Sequence, residues 1–108
     1  MGKHIRTKAT DITPKTRKLV ALRDNGLCII CGRVGISNAH IVPRSQGGLG
    51  IEQNIVTLCP EHHHEFDNGK NRQYYKDKIY EYIQRLYPNW KEENMIFKKY
   101  NYYYKKER

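Results

Sequence analysis

A chain of 108 residues, 38% apolar and 29% charged, has material for one modest core. No apolar run is long enough to cross a bilayer, and no apolar segment follows the basic start, so a cytoplasmic protein is expected rather than a secreted or membrane one. The formal net charge of +9 favours a polyanionic partner, and three cysteines, an odd number, fit poorly with a closed disulfide framework.

The charge is unevenly placed. Residues 1–25 carry seven Lys/Arg against two Asp/Glu, and residues 70–108 carry eleven against five. Between them, residues 26–69 carry two against four and hold all three cysteines and four of the five histidines. Basic flanks suit nucleic acid, whereas an acidic, imidazole-rich centre suits cations.

Residues 1–12 show no period and read as a flexible basic arm. Thr13-Pro14 is an N-cap followed by proline at the first helical position, and Asn25-Gly26 is a stop signal, which predicts a helix between them. Cys28-Ile-Ile-Cys31-Gly32 is a knuckle, a tight turn that aims two sulfurs at one point. Ala39 to Val42 reads as a strand stopped by Pro43, and Asn54 to Leu58 as its returning partner after a glycine-rich loop. Pro60 starts a second helix that ends at Asn68-Gly69. A long helix follows over roughly 72–86, with Tyr75, Ile79, Tyr82, Ile83 and Leu86 on one core-facing stripe. The expected packed domain is 13–88, and residues 89–108 form a tail mixing aromatics with lysines. Its Tyr102-Tyr103-Tyr104 and Lys105-Lys106 could stack on bases or on protein.

The centre of the chain carries the chemistry. Cys59-x-x-His62 repeats the spacing of Cys28-x-x-Cys31, and together they make a Cys₃His set for structural zinc. Successive helical residues point about 100° apart, so His63 and His64 cannot face the same metal as His62. His63 shares a face with Asp67, four residues on, and that pair could chelate a second divalent ion; alternatively, Asp67 caps the turn. His64 points a third way and has no assigned role.

The order AHIVPRSQGG, NIVTLC and a histidine run on a helix resembles the HNH endonucleases over residues 28–69, most closely a small phage-encoded branch with a zinc knuckle. That resemblance implies an α+β, ββα-metal fold with flanking N- and C-terminal helices. It implies a metal-dependent DNA endonuclease that leaves 5′-phosphate and 3′-hydroxyl ends. The motif positions fall on His40 as general base, Asn54 as the brace of its loop, and His63 as ligand of the reaction metal. Arg44 and Lys70 are the expected DNA contacts. Mg²⁺ or Mn²⁺ suits oxygen donors, and Ni²⁺ or Zn²⁺ would gain from the imidazole.

Two departures stand out. His62 occupies the place where that branch usually has a cysteine. Ala39 occupies the place where many members have Asp or His as a first metal ligand. Either Asp67 supplies that ligand, or the metal keeps more water, or catalysis is weak or absent. The alternative function is a zinc-stapled DNA-binding module that does not cut. The resemblance also implies a setting beside a phage terminase, as a monomer or weak dimer.

Overall fold

The computed structural model describes residues 5–98. Among the described residues, two antiparallel strands and four α-helices form a small α+β unit. In chain order these are α1 (Ile5–Thr10), α2 (Pro14–Asp24), β1 (Ile36–His40), β2 (Ile55–Leu58), α3 (Pro60–Asn68) and α4 (Arg72–Leu86).

The helix limits follow local chemistry. The Thr13 hydroxyl accepts from the Thr16 amide at 3.1 Å, and Pro14 opens the first turn of α2. Asn25 adopts the left-handed conformation at the other end, with φ 58°, and closes the helix. In α3, Cys59 is the N-cap, its sulfur accepting from the His62 amide at 3.4 Å. On α4, Ile79 and Ile83 are buried and Tyr75 and Tyr82 are partly buried, as the stripe predicts. Leu86, the last residue of the stripe, is 42% exposed because the core ends one turn earlier.

The strands form a hairpin with an irregular register. Ile36 pairs with Leu58, whereas Ala39 pairs with Val56 and His40 with Ile55, so β1 carries one extra residue between Ile36 and Ala39. Such a bulge bends the strand and re-aims its side chains. β1 begins earlier than expected and ends at His40 rather than Val42. Ile41 still donates to the Asn54 carbonyl at 2.8 Å. β2 is buried along its whole length, since α2 and α3 both pack onto the hairpin.

The core joins Ala39, Ile41, Val42, Val56, Leu58 and Phe66 to Ile79 and Ile83, with Cys28 and Cys59 at its edge. A buried polar node ties α2 to the rest. Asp24 accepts from Arg23 at 2.9 Å, from the Thr57 amide at 3.0 Å, and from the Tyr82 hydroxyl. Arg23 also donates to the carbonyls of Glu52 and Ile55, at 2.8 and 2.7 Å. Burial and that carboxylate push the Tyr82 hydroxyl up to about 12.

Packing does not break at the boundaries expected at residues 12 and 88. Residues 5–10 are helical within the segment read as an arm, and the Gly50 amide donates to the Ala9 carbonyl at 2.9 Å. A Cβ on Gly50 would lie 1.9 Å from the Asp11 carbonyl oxygen, so only glycine permits this approach. Beyond Pro88, Trp90 and Met95 join the core. Leu49 donates to the Met95 carbonyl at 2.8 Å, and Phe97 donates to Gly47 at 2.7 Å. The glycine-rich loop is therefore held between an N-terminal and a C-terminal segment. The Tyr102–Tyr104 and Lys105–Lys106 stacking expectation lies outside the described residues.

Candidate metal centre and active-site cleft

The knuckle forms because Gly32, at φ 78°, lets the chain reverse so that Cys28 donates to the Arg33 carbonyl at 2.7 Å. That turn aims the Cys28 and Cys31 sulfurs at the start of α3, where Cys59 and His62 sit one helical turn apart. The four donor atoms lie within 4.8 Å of one another. Cys31 Sγ is 3.7 Å from Cys59 Sγ, and His62 Nδ1 is 3.3 Å from Cys59 Sγ and 3.7 Å from Cys28 Sγ. A tetrahedral ion bonded to sulfur at about 2.3 Å needs edges of about 3.8 Å between sulfurs. The donor set matches that size and softness, so this group could hold zinc.

Cys28 and Cys31 sit in unlike surroundings. Burial pushes the Cys28 thiol up. The Arg33 guanidinium, whose Nε donates to the sulfur at 3.4 Å, holds exposed Cys31 down at about 6. Arg33 is itself paired with Glu61 at 2.7 Å.

On the other side of α3, His63 Nε2 lies 3.2 Å from Asp67 Oδ2, the one-turn pairing expected from helix geometry. Both line a cleft of about 500 Å³, which also contains His40, Asn38, Arg44 and Arg72. A second cleft of about 620 Å³ shares Asn38, His40 and Arg44 and adds Lys8, Asp11 and Arg17. His64 is exposed and lines neither. A larger groove of about 890 Å³, beside Leu49, Leu86 and Trp90, contains none of these histidines.

His40 is the last residue of β1 and half-buried. Its Nε2 lies 2.8 Å from the Thr10 carbonyl oxygen. A carbonyl can only accept, so Nε2 carries the proton and the neutral ring keeps its free lone pair on Nδ1. Burial holds this imidazole below the usual histidine value. The Thr10 carbonyl opposes that shift, and the Arg44 and His63 charges add to it. Asn54 is wholly buried. Its Oδ1 accepts from the Val42 amide at 2.9 Å, and its Nδ2 donates to the carbonyls of Leu49 at 2.8 Å and Val42 at 3.2 Å. These bonds pin both ends of the loop that leaves His40.

The cleft thus brings together the end of β1 with the pinned loop that follows it, one face of α3, and the first turn of α4. Residues 28–70 match the HNH endonuclease family. The chain belongs to the HNH endonuclease family. Anaredoxin of Nostoc sp. (strain PCC 7120) is 33% identical over 58 residues, covering 52% of this chain and 76% of that protein. The type IV methyl-directed restriction enzyme EcoKMcrA of Escherichia coli (strain K12) is 28% identical over 83 residues, or 68% of this chain. The chain spans 30% of the length of that enzyme.

Within this HNH chain the cleft brings together His40, His63, Asp67 and Arg44, while Asn54 stands behind it. Ala39 is wholly buried in the apolar core beside Val56. Arg44 is only half available, being ion-paired to Asp11. Lys70 is exposed and lines neither cleft; Arg72, in the first turn of α4, does. Sequence reasoning missed Arg72, Thr10 and Asn38. The Thr10 contact uses a backbone atom, and no side-chain pattern announces it. Asn38 had a signal, because it stands two residues before His40 and strand residues two apart share a face.

Proposed function

We propose that this protein is a metal-dependent DNA endonuclease, with Cys28, Cys31, Cys59 and His62 holding a structural zinc. The observation that carries the reading is the position of His40: its Nε2 is tied to the Thr10 carbonyl, and it opens on the cleft that holds the His63–Asp67 pair. His40 Nδ1 takes a proton from water, the water oxygen attacks phosphorus as the bond to the 3′ oxygen breaks, and that oxygen takes up a proton from solvent. The products are a 5′-phosphate and a 3′-hydroxyl. A depressed imidazole suits this role because the base form then dominates at neutral pH. A divalent ion held by His63 and Asp67 would neutralise charge on the phosphate and the leaving oxygen. Imidazole nitrogen and carboxylate oxygen on one helical turn are a fitting donor pair for Mg²⁺, Mn²⁺ or Ni²⁺.

Arg44 and Arg72 draw the scissile phosphate into the first cleft, and Lys8 and Arg17 line the continuation of the strand in the second. Lys70 adds a phosphate contact outside the clefts. Asn54 keeps the loop after His40 in place.

The test is nicking of supercoiled plasmid at low salt with Mg²⁺, Mn²⁺, Ni²⁺ or chelator. His40→Ala should lower the rate by roughly 10²–10⁴-fold, the usual worth of a general base, with zinc content and DNA affinity kept. Cleavage by His40→Ala at the wild-type rate would refute the assignment. Absence of cutting by zinc-loaded protein that still binds DNA favours the second reading, a binding module that does not cut. The burial of Ala39, where many members have a metal ligand, is the observation on that side.

A further inference from the structure

Asn38 lies in the irregular stretch of β1, between the Ile36 and Ala39 pairings, two residues before His40. Asn38 is among the residues lining both clefts, with His40 and Arg44 in each, and with His63 and Asp67 in the first. The Asn38 Oδ1 is buried and has no hydrogen-bond partner among the described residues, the single side-chain atom there of which this holds. Buried polar atoms are almost always paired, because an unpaired one forfeits its water without replacement. An unpaired oxygen on a residue that lines a cleft calls for a partner from outside the chain. An amide oxygen is an acceptor and a hard donor to cations. Half a turn about χ2 exchanges oxygen and nitrogen, so the oxygen can take either end of the amide.

We propose that Asn38 supplies, through its side-chain oxygen, the third protein donor to the divalent ion held by His63 and Asp67. The proposal rests on the nuclease reading above and deepens it. It also accounts for Ala39. Strand alternation puts Asn38 and His40 on the cleft side and Ala39 in the core, so the donor stands two residues before the base instead of one. The oxygen has no partner among the described residues because its partner is the ion.

The experiment is Mn²⁺ binding to the zinc-loaded full chain, read from the free-ion electron paramagnetic resonance signal, beside the thermal midpoint without Mn²⁺. Mn²⁺ is chosen because oxygen donors take it and thiolates do not compete well for it. Asn38→Ala should raise the Kd about tenfold, on the scale of other changes around metal ligands. Asn38→Asp, which adds charge to the same donor position, should bind more tightly than wild type. His40→Ala should bind as wild type, and His63→Ala should lose most binding. The thermal midpoint of Asn38→Ala should not fall, since the substitution removes an unpaired atom and no bond. Wild-type Kd in Asn38→Ala, with binding lost in His63→Ala, overturns the Asn38 assignment and leaves the nuclease metal site standing. Weaker binding that tracks a lower thermal midpoint makes Asn38 a structural residue and also overturns it. Absence of Mn²⁺ binding in wild type, or its retention in His63→Ala, overturns the metal site itself and the assignment with it.

Discussion

Replacing Asn54 isolates how the loop after His40 is held. Asn54→Ala removes one acceptor and two donor contacts and leaves the Val42 amide, the Val42 carbonyl and the Leu49 carbonyl without this partner. At about 1 kcal/mol net for each bond, the loss is about 3 kcal/mol. For a chain of this size, that corresponds to a fall in thermal midpoint of about 10–15 °C. Asn54→Asp is the sharper variant. It keeps an oxygen for the Val42 amide but turns the donor nitrogen into an oxygen facing two carbonyls. It should therefore be at least as unstable as Asn54→Ala at neutral pH, despite its nearly identical shape. The assay is urea unfolding of zinc-saturated protein, with the slope checked against wild type so that the midpoint reports stability. Plasmid nicking should fall in parallel, because the pinned loop carries Arg44 and begins next to His40. Asn54→Ala within about 0.5 kcal/mol of wild type, or Asn54→Asp with wild-type stability, would refute the reasoning.

The remaining predictions concern the metal, the base and the core. Cys31→Ala, or a strong chelator, should strip zinc and abolish the cooperative unfolding transition; unchanged zinc content would remove Cys31 from the site. The nicking rate should stay level as pH falls toward the ordinary histidine value of about 6.5 and drop below it, because burial depresses the His40 imidazole. In that same window the unfolded chain binds the proton first, so stability at His40 is full above about 6.5 and declines as pH falls toward the folded value. A half-activity point above pH ~7 would contradict the depressed imidazole. Asp24→Ala should cost about 3–5 kcal/mol in urea unfolding, since it leaves the Arg23 cation in a site where its side chain is 12% exposed. A cost below about 1 kcal/mol would mean that water replaces the carboxylate there.

The sequence by itself determined whatever depends on near neighbours in the chain. The limits of α2 and α4 followed from capping residues and apolar period. The Cys28/Cys31 and Cys59/His62 half-sites followed from ligand spacing, and the His63–Asp67 pairing from the pitch of one helical turn. Tertiary structure alone decided the rest, because the deciding contacts join groups far apart in sequence or use the backbone. The carbonyl that orients His40 comes from Thr10, thirty residues away, and any residue there offers the same oxygen. Arg72 rather than Lys70 lines the cleft, an outcome of how α4 packs on α3 and not of composition. Trp90 and Met95 reach the core only because the chain folds back along the glycine-rich loop. Strand alternation already put Asn38 on the face of His40 and Ala39 on the other, but the extra residue that β1 carries opposite β2 is set by their pairing, and such an offset leaves no mark on either strand's own sequence.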